Sequence, residues 1–273
     1  MSEPKKNAYA KFLTRDGEKP LDKIIDDGGF CSIFRSIACV GDSLSSGEFQ
    51  SLDANDGEYR YHDMYEYSWG QYLARACGSK VYNFSRGGMT AKEYCESFAE
   101  ENGFWDEQKR CQCYIIALGV NDLLGQHMEL GSVEDIVLED CEQNKHTFAG
   151  YYAKIIQKYK KIQPDAKFFL MTMPKEDEVC DGNGIKPLFN ELLYKMADIF
   201  ENTFVLDLYK YAPTYDEEFK KIFYLYGHMN PMGYILTAKM VVSYIDYIVR
   251  SNPGRFSQVG FIGTEFYDKK LDS

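Results

Sequence analysis

Ile37-Ala38-Cys39-Val40-Gly41-Asp42-Ser43-Leu44 is an apolar run that stops abruptly in Gly-Asp-Ser. A short apolar run closed by turn residues predicts a buried strand of a parallel sheet, since such strands are covered on both faces and lack polar alternation. In an open α/β sheet the reactive crevice lies beyond the carboxyl ends of the strands. Ser43 falls at that crevice, and Gly41 lets the backbone turn without a side chain in the way. Taken alone, Asp42 and Ser43 also suit a capped helix start. The rest of the chain decides between the two.

Four more runs of the same kind lie outward from this one. They are Lys80 to Phe84 before Ser85-Arg86-Gly87-Gly88, Gln112 to Leu118 before Gly119-Val120-Asn121-Asp122, Lys167 to Met173 closed by Pro174, and Thr203 to Leu208. Helical spacing separates them. Trp69, Tyr72, Leu73 and Ala76 share one face of Ser68 to Cys77, and Thr90 with Glu93 forms a capping box. Further helices are expected over Thr147 to Gln163, stopped by Pro164, over Lys186 to Phe200, and over Met232 to Arg250, opened by Pro231. Strands alternating with helices give a doubly wound parallel sheet between two helical layers. One domain is expected over residues 1–273, with an N-terminal arm over about 1–30 and a C-terminal surface extension over about 251–273. Residues 45–68 read as a long polar loop carrying Tyr59, Tyr61, Tyr65 and Tyr67, placed to form one wall of a pocket. Leu124 to Lys145 reads as an acidic insertion.

The 273 residues suffice for one α/β domain with a large core, and the formal net charge is −11. That balance argues against nucleic acid or an anionic membrane as partner, because both attract basic surfaces. No hydrophobic stretch in the sequence reaches the roughly 20 residues of a membrane helix. The start, Met1-Ser-Glu-Pro-Lys-Lys-Asn, lacks the apolar core of a secretory signal, so a cytoplasmic location is expected. The eight cysteines are scattered, and Cys111 and Cys113 would point to opposite faces of a strand. None has zinc-type spacing with a second pair, so they are read as structural and no metal is expected. His62 could line the pocket, while His127 and His146 are read as surface residues.

Three strand ends, at Ser43, Gly88 and Asn121, and a fourth turn at His228 fall on one side of a parallel sheet. Together they could run acyl transfer. Ser43 would attack an ester carbonyl as His228 takes its proton, with the N–H groups of Ser43 and Gly88 and the amide of Asn121 holding the oxyanion. Gly41-Asp42-Ser43-Leu44, Asn83-Phe84-Ser85-Arg86-Gly87-Gly88-Met89-Thr90, Gly119-Val120-Asn121-Asp122 and His228 resemble, in order and spacing, the four blocks of the SGNH (GDSL) hydrolase family. The resemblance spans about residues 35 to 245. It implies a flavodoxin-like three-layer α/β/α sandwich with a five-stranded parallel sheet, and ester hydrolysis without metal or organic cofactor. Residue by residue it implies Ser43 as nucleophile, Gly88 and Asn121 as oxyanion donors, and His228 as general base.

The chain departs from the family at one position. Leu225 stands three residues before His228, where the family usually carries an aspartate. Either a Ser43–His228 dyad operates, with a backbone carbonyl fixing the tautomer, or a carboxylate arrives from elsewhere. The dyad is the expectation. Asp216 and Glu217 are the nearest acids upstream, and Asp207 reads as a structural turn residue. Other function classes are an acyltransferase on the same site, a non-catalytic binding module, and a flavodoxin-like flavin protein. Asp42 speaks against the last, because it would repel a phosphate after the first strand. The aromatic share of 15% and the tyrosine-rich loop suit stacking on sugar rings, so a small-molecule or glycan ester is the expected substrate.

Overall fold

β1 (Ser36–Gly41) is the central strand of the computed structural model, which describes residues 9–176 and 184–271. One helical turn, α1 (Ser43–Ser46), follows it directly. The chain then forms an antiparallel hairpin of β2 (Glu48–Leu52) and β3 (Tyr59–Asp63). Next come α2 (Trp69–Cys77) and β4 (Lys80–Ser85), then a helix in three parts. Its parts are α3 (Ala91–Glu93), a π turn over Tyr94–Phe98, and α4 (Ala99–Glu101). β5 (Cys113–Ala117), α5 (Phe148–Ile162), β6 (Lys167–Met171), α6 (Ile185–Ile199) and β7 (Thr203–Leu206) continue the alternation. After α7 (Leu208–Tyr211) and α8 (Glu217–Phe223), the short hairpin of β8 (Tyr224–Leu225) and β9 (His228–Met229) leads into α9 (Pro231–Ser251).

The main sheet has the order β4-β1-β5-β6-β7 and is parallel throughout. Counting only these five strands, the order is 2-1-3-4-5, the flavodoxin-like winding. Its topological switch point lies between β1 and β5, where the crevice for a ligand forms. Alternate residues of each strand serve opposite layers, as the pleat requires. Ala38, Val40, Tyr114, Ile116, Phe168 and Leu170 join the core under α3 and α5. Ile37, Cys39, Cys113, Ile115, Phe169 and Leu206 join the core under α2 and α9. The cysteine reading holds in the same way: Cys111 belongs to the first core and Cys113 to the second. Cys180 lies outside the described residues.

Helix starts follow their caps. Ser68 Oγ accepts from Gln71 N, Thr90 Oγ1 from Glu93 N, Thr147 Oγ1 from Gly150 N and Asn230 Oδ1 from Gly233 N. Pro231 takes the first helical position, where its missing N–H costs nothing.

Three expectations need correction. Residues 45–68 are not an irregular loop but mostly the β2–β3 hairpin. Its tip is closed by Gly57 N and Asp53 N donating to Asp53 O and Glu58 O at 2.9 Å each. Every residue of β3 is exposed, so the strand carries no apolar period to read. The C-terminal segment is not simply a surface extension: Phe256, Val259 and Ile262 are buried, and Phe256 stacks on Phe204 at 5.1 Å. Lastly, α9 has 21 residues and contains an 18-residue window of mean hydropathy 1.2, enough by length and composition to cross a membrane. It is the core helix of the second layer, with 72% of that window buried in the domain, and its Asp246 and Arg250 are paired with each other at 2.7 Å. The N-terminal arm lies along it, with Glu18 bonded to Arg250 (2.7 Å) and Ile25 N donating to Ser243 Oγ (3.0 Å).

Candidate active site

The strand β1 ends against α1 with no room to spare. A side chain at Gly41 would collide with Ser45 and approach Ala117 O to 3.1 Å, so only glycine allows this tight entry. Asp42 caps the turn through Leu44 N (3.1 Å), and burial pushes its carboxyl up to about 7. Ser43 is then the first residue of α1. Its N–H is one of those with no carbonyl partner inside the helix.

The turn after β4 is joined to the turn after β5. Gly88 has φ +70°, a left-handed conformation that a side chain would strain. Asn121 Nδ2 donates to Met89 O at 3.1 Å, one residue beyond Gly88. Asp122, fully buried, accepts from Ala91 N with both oxygens, at 2.9 and 3.1 Å. Burial raises the Asp122 carboxyl to about 6, and the backbone donors of Ala91 and Lys92 oppose that shift. Asn121 is thereby held against the Gly88 turn from both sides.

His228 lies on β9, directly across the hairpin from Leu225. Ser43, Asn121 and His228 line one cleft of about 400 Å³, together with Leu44, Val120 and Met173. Gly88 adjoins this group through Met89. A larger cleft of about 550 Å³ lies under the N-terminal arm, but its lining among the described residues, which includes Lys11, Arg15, Glu18 and Arg250, holds no serine, cysteine or histidine.

Sequence reasoning missed the acid beside His228. Glu48 Oε1 on β2 lies 3.1 Å from His228 Nε2, and both side chains are largely buried. Burial raises the Glu48 carboxyl, with the Asp63 carboxylate adding to the effect, and burial lowers the His228 imidazole. The expected partner, a backbone carbonyl, is not what holds Nε2. Nor do the acids nearest upstream reach it. Asp216 Oδ1 accepts from Phe219 N at 2.9 Å and caps α8, Glu217 is exposed, and Asp207 caps α7 through Lys210 N (3.0 Å). Asp216→Asn is accordingly expected to leave kcat within about twofold and to cost about 1 kcal/mol or less of stability, as cap changes do. Steady-state kinetics and a thermal melt on the one variant check both. Leu225 leaves the imidazole in need of an acid, but nothing local in the sequence assigns that acid to Glu48.

The other histidines stand apart from the cleft. His62, a candidate for its lining, is exposed on β3 and bonds Ser51 Oγ at 2.8 Å. His127 and His146 are exposed, as expected, and His146 stacks on Tyr151 at 5.6 Å.

A family model described as GDSL-like Lipase/Acylhydrolase family matches residues 39–236. Among curated proteins nothing matches the chain. Several solved structures share the fold. One is a protein from Lactobacillus plantarum at 18% identity and TM-score 0.54, covering 78% of this chain and 97% of its own. Another is the acetyl xylan esterase AlAXEase, at 18% identity and TM-score 0.51, covering 77% and 99%. A third is a carbohydrate esterase family 2 enzyme with a carbohydrate-binding domain from Corynascus thermopiles (Myceliophthora fergusii). It matches at 16% identity and TM-score 0.52, covering 85% and 69%.

Proposed function

The chain belongs to the GDSL-like lipase/acylhydrolase family and is a carboxylic ester hydrolase, and we propose that it cleaves short-chain acyl esters of carbohydrates with Ser43 as nucleophile and His228 as general base. The observation that carries this reading is the meeting of Ser43, Asn121 and His228 in one cleft, from three widely separated parts of the chain. Ser43 Oγ attacks the ester carbonyl carbon while the His228 imidazole takes its proton. The carbonyl oxygen becomes an oxyanion that accepts from Ser43 N–H, Gly88 N–H and Asn121 Nδ2. Collapse expels the alcohol, which leaves with the proton from the imidazolium, and Ser43 keeps the acyl group. Water then gives a proton to His228 and attacks the acyl carbon. Ser43 Oγ departs, recovers that proton, and the carboxylic acid is released.

Asn121 is expected to act mainly in the transition state, because the oxyanion exists only there. Asn121→Ala should lower kcat about 10²–10³-fold, or about 2.7–4 kcal/mol, with little change in KM. Steady-state kinetics on an aryl acetate checks this. A rise in KM alone would make Asn121 a ground-state binding residue instead.

The substrate class rests on what surrounds the cleft. Leu44, Val120, Leu124 and Met173 offer an apolar wall of limited extent, suited to a short acyl group. At its mouth Tyr226 meets Tyr59 at 5.3 Å, and Tyr61 meets the His228 ring at 5.7 Å. The three tyrosines are 50%, 47% and 58% exposed. Open aromatic rings beside a nucleophile suit stacking on the apolar face of a sugar. The fold is shared with an acetyl xylan esterase, but the tyrosines are what point this chain to carbohydrates. A hydrolysis screen of aryl esters of increasing chain length and of acetylated sugars tests the proposal. Acetyl esters are expected to be preferred, with acetylated sugars cleaved faster than aryl acetates in kcat/KM. Preference for long-chain aryl esters would overturn it.

A further inference from the structure

We infer that Glu48, carried on the strand that follows the Ser43 turn, is the positioning carboxylate of His228 and fills the role for which Leu225 has no charge. The inference rests on the reading of Ser43 and His228 given above. Its geometric basis is the 3.1 Å approach of Glu48 Oε1 to His228 Nε2, with both side chains largely withdrawn from water.

The surrounding residues hold this pair in place from several sides. Tyr234 OH donates to Glu48 O at 2.6 Å, which ties the backbone of β2 to α9. Gly227 N donates to Gln50 Oε1 at 2.6 Å, which ties the same strand to the turn just before His228. Tyr61 on β3 sets its ring edge-on to the imidazole. On the far side, a side chain at Gly87 would collide with Glu48 Oε2, so glycine there leaves room for the carboxylate. The hairpin is thus the element that orients the imidazole. In the family pattern that task falls to an aspartate one turn upstream of the histidine. Here that position is Leu225, which is 44% exposed.

The other acids nearby are committed elsewhere. Asp63 accepts from Ser46 Oγ at 2.7 Å, and Asp42 accepts from Leu44 N. Glu48 is the acid left for His228. With Nε2–H donating to Glu48, the neutral ring carries its lone pair on Nδ1, because a neutral imidazole has one donor and one acceptor nitrogen. Nδ1 is buried and has no hydrogen-bond partner among the described residues. In that tautomer Nδ1 carries the lone pair that takes a proton, and the carboxylate stabilises the imidazolium that forms.

The charged and titratable groups facing the pair are Asp42 and Asp63, with the phenols of Tyr61 and Tyr234 on neighbouring elements. The cleft that His228 lines also holds Lys186 and Lys220, paired with Glu176 at 2.5 and 3.1 Å, and the phenols of Tyr215, Tyr224 and Tyr226. An ionised Glu48 favours the imidazolium, so its removal should make His228 harder to protonate.

The test compares the wild type with Glu48→Gln and Glu48→Asp across pH. In Glu48→Gln, kcat should fall on the order of 10²–10⁴-fold with KM nearly unchanged, up to the loss seen when a triad acid is neutralised. The acid limb of kcat/KM should move to lower pH. Glu48→Asp, which keeps the charge on a shorter stem, should recover at least part of the loss and bring the acid limb back toward wild type. The inference is overturned if Glu48→Gln keeps kcat within threefold, or loses it with the acid limb unmoved, or if Glu48→Asp is no better than the amide. Should the Gln variant fail to fold, the Asp variant alone decides, by whether its acid limb stays in place. Fluorophosphonate labelling of wild-type Ser43 separates this outcome from a failure of the reading beneath it. A wild type that labels, with an unaffected Glu48→Gln, discards Glu48 alone.

Discussion

Alanine at Ser43 is expected to lower kcat on the order of 10⁶-fold and to leave KM for an aryl ester almost unchanged. The size follows from what is removed. Oγ forms the bond to the acyl carbon, and among the described residues no other hydroxyl lines the cleft except the phenols of Tyr215, Tyr224 and Tyr226. The substitution leaves the Ser43 N–H, the Gly88 turn and Asn121 in place, so a residual rate about 10³–10⁴-fold above the uncatalysed reaction should persist. Ser43 is only partly buried and its side chain caps nothing, so the fold should not suffer. A melting temperature matching the wild type, together with the collapse of kcat, is the expected pair of results. A kcat within tenfold of the wild type would remove Ser43 from the chemistry.

His228→Ala is the second large effect, with a loss in kcat comparable to that at Ser43, because nucleophile and base act as one unit. Its pH dependence is as informative as its size. The working form is the neutral imidazole, which alone can take a proton. Burial disfavours the imidazolium and holds His228 below its ordinary value of 6.5. Activity should therefore persist somewhat below pH 6.5 and fall only as His228 finally protonates. The acid limb of kcat/KM in the wild type should have its midpoint under about 6.5. A midpoint above that value, or a His228→Ala variant retaining a tenth of the activity, would contradict the role of His228.

Much of this was legible in the chain because buried parallel strands leave an unbroken apolar signature. Ile37 to Val40 and Cys113 to Ile116 are covered on both faces, and each leads into glycine-containing turn chemistry that marks a strand's carboxyl end. Ser43, Gly88 and Asn121 could be found for that reason, since each stands at such an end. His228 could be found from the Asn230-Pro231 helix opening beside it. The hairpin was hidden by opposite physics. Its outer strand is exposed at every residue and owes its pairing to β2 and its Asp53–Gly57 tip, neither of which leaves a hydrophobic period. Glu48 was hidden with it. An acid beside a distant histidine is a tertiary fact, and the local rule, an acid three residues upstream, pointed to Leu225 and then to Asp216. The structure uses Asp216 to start α8 and brings the needed acid from the β2–β3 hairpin. The C-terminal residues were misread similarly, because Phe256, Val259 and Ile262 are spaced too irregularly to announce that they pack on Phe204 and Phe34.

The central claim is that Ser43 forms a covalent acyl-enzyme, and covalent capture tests it most directly. Wild-type protein treated with a fluorophosphonate, digested and mapped by mass spectrometry should carry the adduct on Ser43. Labelling should track loss of esterase activity one-for-one, and Ser43→Ala should take up no label. Label on any other residue, or full esterase activity in a protein whose Ser43 is quantitatively modified, would contradict the account.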